Sequence, residues 1–272
     1  MNGNGLKRIA IGIQYDGASW QGWQTQPHGN TVQDRLQAAL RQFAQRDILI
    51  HCAGRTDAGV HAIEQIAHFD IDIERPMQSW LRGVNSFLPP SIALRWAQPV
   101  GAASDEAAFH ARFSAVARTY HYYLYNNQVR SPLLRGRAGW VFRPLDAQAM
   151  QRAAQHLIGD HDFSAFRAAE CQALSPLRTM EQIRIDRSGD LIRVTLTANA
   201  FLHHMVRNIV GSLIYVGTGA RPESWIAELL AGRDRRQAAP TFMPDGLYLA
   251  KIEYDPIWNL PQASIAAPMP FL

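Results

Sequence analysis

Apolar residues fall at every second position in short segments spread along this chain, and helical patterns separate those segments. Ile9, Ile11, Ile13 and Tyr15 alternate with Ala10, Gly12 and Gln14, and the turn pair Asp16-Gly17 closes the run. Side chains alternate between the two faces of a strand, so this spacing commits the segment to a sheet. A loop rich in Trp, Gln and Gly follows from Trp20 to Gly29, and Thr31 then caps a helix with Asp34 three residues on. Val32, Leu36, Ala39, Leu40 and Phe43 give that helix an apolar stripe. Ile48 to Cys52 reads as a short strand broken by Gly54. Ala67, Phe69, Ile71 and Ile73 alternate with His68, Asp70 and Asp72, which predicts a half-buried strand. Met77 to Leu88 reads as a helix ended by Pro89-Pro90, and Ile92, Leu94 and Trp96 as the strand after it.

Beyond residue 105 a similar order restarts. Tyr120, Tyr122 and Leu124 share one strand face, and His121, Tyr123 and Tyr125 the other. Asp146 caps a helix carrying Met150, Ala153, Ala154, Leu157 and Ile158, and Gly159 stops it. Ile183 and Ile185 precede the turn Ser188-Gly189, with Ile192, Val194 and Leu196 after it, which is a hairpin pattern. Helices are predicted from Met205 to Val216 and from Trp225 to Leu230, and a last strand from Leu247 to Tyr254. The pattern predicts an α+β chain in two related halves, residues 1–105 and 106–272. A length of 272 residues suits such a division.

Composition narrows the classes further. The most apolar stretch, Phe201 to Gly217, is interrupted by His203, His204, Arg207 and Asn208, so no membrane span is predicted. The opening MNGNGLKRIAIG lacks the apolar run of a signal peptide, and Cys52 and Cys171 make neither a metal spacing nor a disulfide framework. The expectation is a reduced, cytoplasmic protein. Its 27 basic residues are 25 arginines and two lysines, Lys7 and Lys251. Arginine forks suit phosphate and stack on bases, so the bias fits an RNA partner; arginine-rich codon usage would produce it equally well.

Three clusters could carry chemistry. Gly54-Arg55-Thr56-Asp57-Ala58-Gly59-Val60-His61-Ala62 lies between two strands, where an arginine two residues from an aspartate helps keep it ionised. The same triplet could simply cap a turn. Arg118-Thr119-Tyr120-His121-Tyr122-Tyr123-Leu124-Tyr125 offers aromatics to stacked bases, or to a core. His204, Arg207, Asn208 and Gly211 share a helix face opposite much of Met205, Ile209 and Leu213, and an arginine in such apolar surroundings needs an anionic partner. His203-His204 with His156, His161 or Cys171 gives no zinc spacing, and Gly217-Thr218-Gly219 follows a helix rather than a strand. Neither metal nor cofactor is expected.

GRTDAGVHA resembles the signature of the tRNA pseudouridine synthase A family. YDGASWQGWQTQP, TVQDRL, NSFLPPSI, FHARFSAVARTYHYYLYN, HDFSAF, FLHHMVRNIVGSL and APTFMPDGLYL are similar to further family segments, in the family's order, from about residue 6 to 254. The resemblance implies an extended, mostly antiparallel sheet flanked by helices, in two related halves with the active cleft between them. It implies an isomerase that converts uridine to pseudouridine at positions 38, 39 and 40 of the tRNA anticodon stem-loop, as a homodimer and without cofactor. By matching motifs Asp57 is the essential catalytic aspartate, Tyr120 packs against the target base, Arg207 is the ion-pair partner of Asp57, and Arg55 helps displace the flipped nucleotide. Loop arginines Arg130, Arg135 and Arg137 are candidates for phosphate contacts. The alternative from another class is a non-catalytic RNA-binding protein that uses the same sheet aromatics and arginines.

Overall fold

The structure is a computed structural model that describes residues 6–102 and 108–261; the boundary expected at 105/106 and most of the Pro- and Ala-rich tail lie outside the described residues. The architecture is α+β, with mostly antiparallel strands flanked by helices. Two compact units are distinguished: one runs through Val116 and takes up the chain again from Leu249, and the other spans Ala117–Tyr248.

The first unit is built on β1 (Lys7–Tyr15), which pairs antiparallel with β3 (His61–Ile71) on one side and β4 (Ile92–Ala102) on the other. The register sets Ile11 opposite Ala67 and Ala97. Helix α1 (Val32–Ala44) begins at Thr31, whose side chain accepts the Asp34 N–H, as the cap pattern predicts. Helix α2 (Met77–Asn85) ends three residues before the predicted Leu88, with Ser86 as its cap. Trp80 of α2 packs between Phe43 of α1 and Phe69 of β3, at ring distances of 5.1 and 5.3 Å, which fixes the helices on the sheet.

Two predictions here change. The strand expected over Ile48–Cys52 shrinks to β2 (His51–Cys52), although Ile48 and Ile50 are buried. Burial without ladder hydrogen bonds is enough to explain the apolar pattern. The second change concerns β3, expected to be half-buried. His68 on its polar face and Gln65 on the face of Ala67 and Phe69 are both buried, because other parts of the chain use their side chains. His68 accepts the Ala111 N–H at 3.1 Å, and Gln65 holds the loop at Gly54.

The second unit has β5 (Ala115–Asn126) antiparallel to β9 (Leu191–Ala198), which forms the predicted hairpin with β8 (Leu177–Ser188). Strand β7 (Gly159–Asp162) extends this sheet beyond β8, and β6 (Gly139–Val141) runs parallel to β5. Helix α3 (Ala147–Ala154) starts where Asp146 accepts the N–H groups of Gln148 and Ala149. Its last turn tightens at Gln155–Leu157, and Ile158 is exposed rather than on the apolar stripe. Helix α4 (Met205–Gly217) is buried on nearly all sides, and α5 (Trp225–Gly232) packs nearby. The last strand, β10 (Leu247–Tyr254), enters the first unit beside β3. No helix among the described residues is long and apolar enough to cross a membrane.

Candidate active site

The Asp57 segment connects β2 to β3, and its backbone is held at successive points. Gln65 donates from Nε2 to the Gly54 carbonyl at 2.5 Å, and its Oε1 accepts the Gly54 N–H at 3.3 Å. One residue earlier the Ala53 N–H donates to the Ile66 carbonyl at 2.8 Å. Thr56 is buried, with its hydroxyl 2.7 Å from that of Tyr15 on β1. Its carbonyl accepts the Trp23 N–H at 3.0 Å. Beyond Asp57, the Val60 N–H closes a turn onto the Asp57 carbonyl at 3.1 Å, and the Gly59 N–H donates to the Trp20 carbonyl at 3.1 Å.

This pinning turns Thr56 inward and leaves its neighbours outside: Arg55 is exposed and Asp57 partly so. A carboxylate on a backbone held on both sides is pre-positioned for chemistry, which a solvated turn would not require. The Trp- and Gln-rich loop, to which sequence reading gives no role, forms the wall behind it. Gly22 in that loop has φ +85°, and a Cβ there would lie 2.8 Å from the Thr56 carbonyl oxygen. The backbones approach too closely for any other residue. His61 supports the same region by accepting the Gly17 N–H at 3.1 Å.

Cys52, just before the loop, is no nucleophile. Burial pushes its thiol up to about 12 against the opposing pull of Arg55, so it stays protonated. The other ionisable groups of the loop are Arg55 and Asp57.

The second unit places the other candidates on β5 and α4. Tyr122 and Tyr123 are fully buried, whereas Tyr120 is partly exposed with its ring edge-on to Phe201 at 5.0 Å. Periodicity could not make that distinction, because neighbours on both faces of β5 are covered. Tyr122 instead braces the segment around Phe242. Its hydroxyl lies 2.8 and 2.7 Å from the carbonyl oxygens of Met243 and Asp245, to which it donates, and burial raises its pKa well above the ordinary tyrosine value. Arg207 on α4 is partly buried and donates from Nε to the Phe242 carbonyl at 2.8 Å. Its orientation is therefore set by the segment that Tyr122 braces.

Asn208 and Gly211, expected on a polar face, are buried. Asn208 donates to the Phe166 carbonyl at 2.8 Å, and its Oδ1 accepts from Arg235 at 3.0 Å and Thr241 at 2.7 Å. It serves the core. Arg130, Arg135 and Arg137 are all exposed.

The chain matches the family model described as tRNA pseudouridine synthase over residues 11–114 and 153–255. It is 68% identical over 260 residues to the tRNA pseudouridine synthase A of Herminiimonas arsenicoxydans, covering 95% of this chain and 94% of the relative. It is 65% identical to the protein of that name from Janthinobacterium sp. (strain Marseille), with 97% and 98% covered. The corresponding protein of Paraburkholderia xenovorans (strain LB400) is 57% identical, with 94% and 93% covered. With matches on both sides of the chain's midpoint and near-complete coverage of these relatives, the chain belongs to the tRNA pseudouridine synthase family.

Proposed function

We propose that the chain isomerises uridine to pseudouridine at positions 38, 39 and 40 in the anticodon stem-loop of tRNAs, with Asp57 as the essential catalytic residue. The observation that carries this is the pinned loop: Thr56 is tied to Tyr15 and Trp23, and Asp57 is presented beside it. The reaction breaks the bond from ribose C1′ to uracil N1 and forms one from C1′ to C5. N1 gains a proton and C5 loses one, so no electron is gained or lost and no external group is consumed.

A base within a stem must first leave its stack, at a cost of a few kcal/mol. Tyr120, whose ring is partly exposed, recovers part of that cost by packing on the extruded base. Arg55, exposed on the loop, occupies the space the nucleotide vacates. Asp57 acts ionised, whether it attacks C1′, attacks C6 or removes a ribose proton. The family motif assigns Arg207 as the cation that keeps it charged and oriented. Arg130, Arg135 and Arg137 contact phosphates, which position RNA without reading its sequence. The working form is a cytoplasmic homodimer in which one tRNA contacts both subunits.

The test maps the product. Unmodified tRNA transcripts with uridine at positions 38, 39 and 40 are incubated with the protein, treated with carbodiimide and read by reverse transcription. Stops at those positions alone are expected. Stops elsewhere in the tRNA would reassign the target, and their absence with tRNA bound would favour the RNA-binding alternative.

A further inference from the structure

A column of rings runs outward from the core of the first unit and ends in solvent. His68 is buried on β3, His110 lies 4.7 Å from it between ring centroids, and Phe113 stacks on His110 at 4.3 Å with 29° between planes. Phe113 itself is 76% exposed. The turn that displays it is stiff. Nδ1 of His110 accepts the N–H groups of Arg112 at 3.1 Å and Phe113 at 3.3 Å, and the Ser114 N–H donates to the His110 carbonyl at 2.8 Å. The Ala111 N–H is fixed by the buried His68.

One arginine lies beside this ring. The Arg112 guanidinium lies 5.7 Å from the Phe113 centroid. Arg112 and Arg55 both act electrostatically on Cys52, and Cys52 follows His51, which stacks on His68 at 5.2 Å. The turn and the Arg55–Asp57 loop are therefore neighbours within one unit. His110 to Ser114 contain no carboxylate.

An exposed aromatic ring on a hydrogen-bonded mount, with a guanidinium beside it, matches what a single-stranded nucleotide needs. We propose that this turn is an RNA subsite in which an unpaired base of the tRNA stacks on Phe113 while Arg112 faces an adjoining phosphate. The proposal rests on the reading of tRNA as the substrate and adds a second contact point to the catalytic loop. The other partner that suits aromatics and arginines is a protein surface, and the test separates the two.

Full-length Phe113→Ala, Phe113→Leu and Phe113→Tyr proteins are titrated against labelled tRNA by fluorescence anisotropy, with sedimentation of each protein alone. Loss of the ring should weaken binding by about tenfold in both the Ala and Leu variants, whereas Tyr retains the affinity. Leu keeps the apolar bulk, so a matching loss in Leu and Ala isolates stacking, and the exposure of Phe113 makes misfolding no explanation. Wild-type affinity in the Ala and Leu variants overturns the subsite. So does a change in sedimentation with tRNA affinity intact, which would make the turn a protein interface. A wild type that binds tRNA without isomerising it would instead overturn the proposed function, and the same affinity series would still decide the subsite.

Discussion

The hydroxyls of Tyr15 and Thr56 lie 2.7 Å apart, both residues are buried, and the bond fixes the backbone immediately before Asp57 to the first strand of the sheet. A single neutral hydrogen bond contributes only about 1 kcal/mol to stability. Its larger effect is on placement, because an aspartate displaced by a fraction of an ångström loses its alignment with the reacting atoms.

Tyr15→Phe should therefore lower the single-turnover rate by about tenfold, equivalent to about 1.4 kcal/mol in the barrier, while tRNA affinity stays near wild type. Thr56→Val should do the same, and combining the two should add little, since each removes the same bond. Equal losses in rate and affinity, or fully additive losses, would show that the pair does not act on Asp57.

Gly22→Ala tests the close approach behind the same loop. Its φ of +85° and the contact of a new Cβ with the Thr56 carbonyl both oppose the substitution. Gly29 supplies the comparison, with φ +65° but nothing within 4 Å of a Cβ. Both variants should lose about 1 kcal/mol from the left-handed backbone. Only Gly22→Ala should also lose turnover, and equal activity in the two would contradict the account.

Stability should fall as the solution becomes acidic. Burial, helped by Arg8 and the neighbouring His110 and His51, lowers His68 to about 3, and burial with Arg193 nearby lowers His121 to about 4. Both imidazoles are neutral in the fold and take up a proton near pH 6.5 once unfolded. The unfolded chain then binds more protons, so their contribution is fully present above about pH 6.5 and is lost as pH falls toward 3 and 4. The slope is up to about 1.4 kcal/mol per pH unit for each group. Urea midpoints measured between about pH 7.5 and pH 5 should drop for wild type and drop less for His121→Gln. An unchanged wild-type midpoint would refute this.

Asn208→Leu should destabilise the second unit by about 3 kcal/mol, because the Phe166 carbonyl, Arg235 and Thr241 lose their partner in a buried network. Denaturant titration provides the measurement. A loss no greater than that of an exposed substitution would show that the network carries no weight.

Local chemistry made much of this fold readable. Thr31 and Asp146 cap helices because their side chains satisfy N–H groups a few residues away, and Ser188-Gly189 turns a hairpin. What escaped depends on distant neighbours. His68 looks like a solvent-facing strand residue until the turn at Ala111 covers it, and Asn208 looks like part of a polar helix face until Arg235 and Thr241 reach it. The Asp57 loop announced itself through its glycines and its Arg-Thr-Asp triplet. Its supports, Tyr15, Trp23 and Gln65, carry no motif of their own because they act through a sheet register and backbone hydrogen bonds. Among the tyrosines of β5, exposure separates Tyr120 from Tyr122 and Tyr123, and alternation alone cannot predict exposure when both faces are covered.

The central claim is that Asp57 performs the isomerisation. It is tested most directly with tRNA carrying tritium at uridine C5, since that hydrogen must leave when C5 takes the glycosidic bond. Wild type should release tritium to water, and Asp57→Asn should release none while binding the same tRNA. Release by the Asn variant at the wild-type rate would contradict the account.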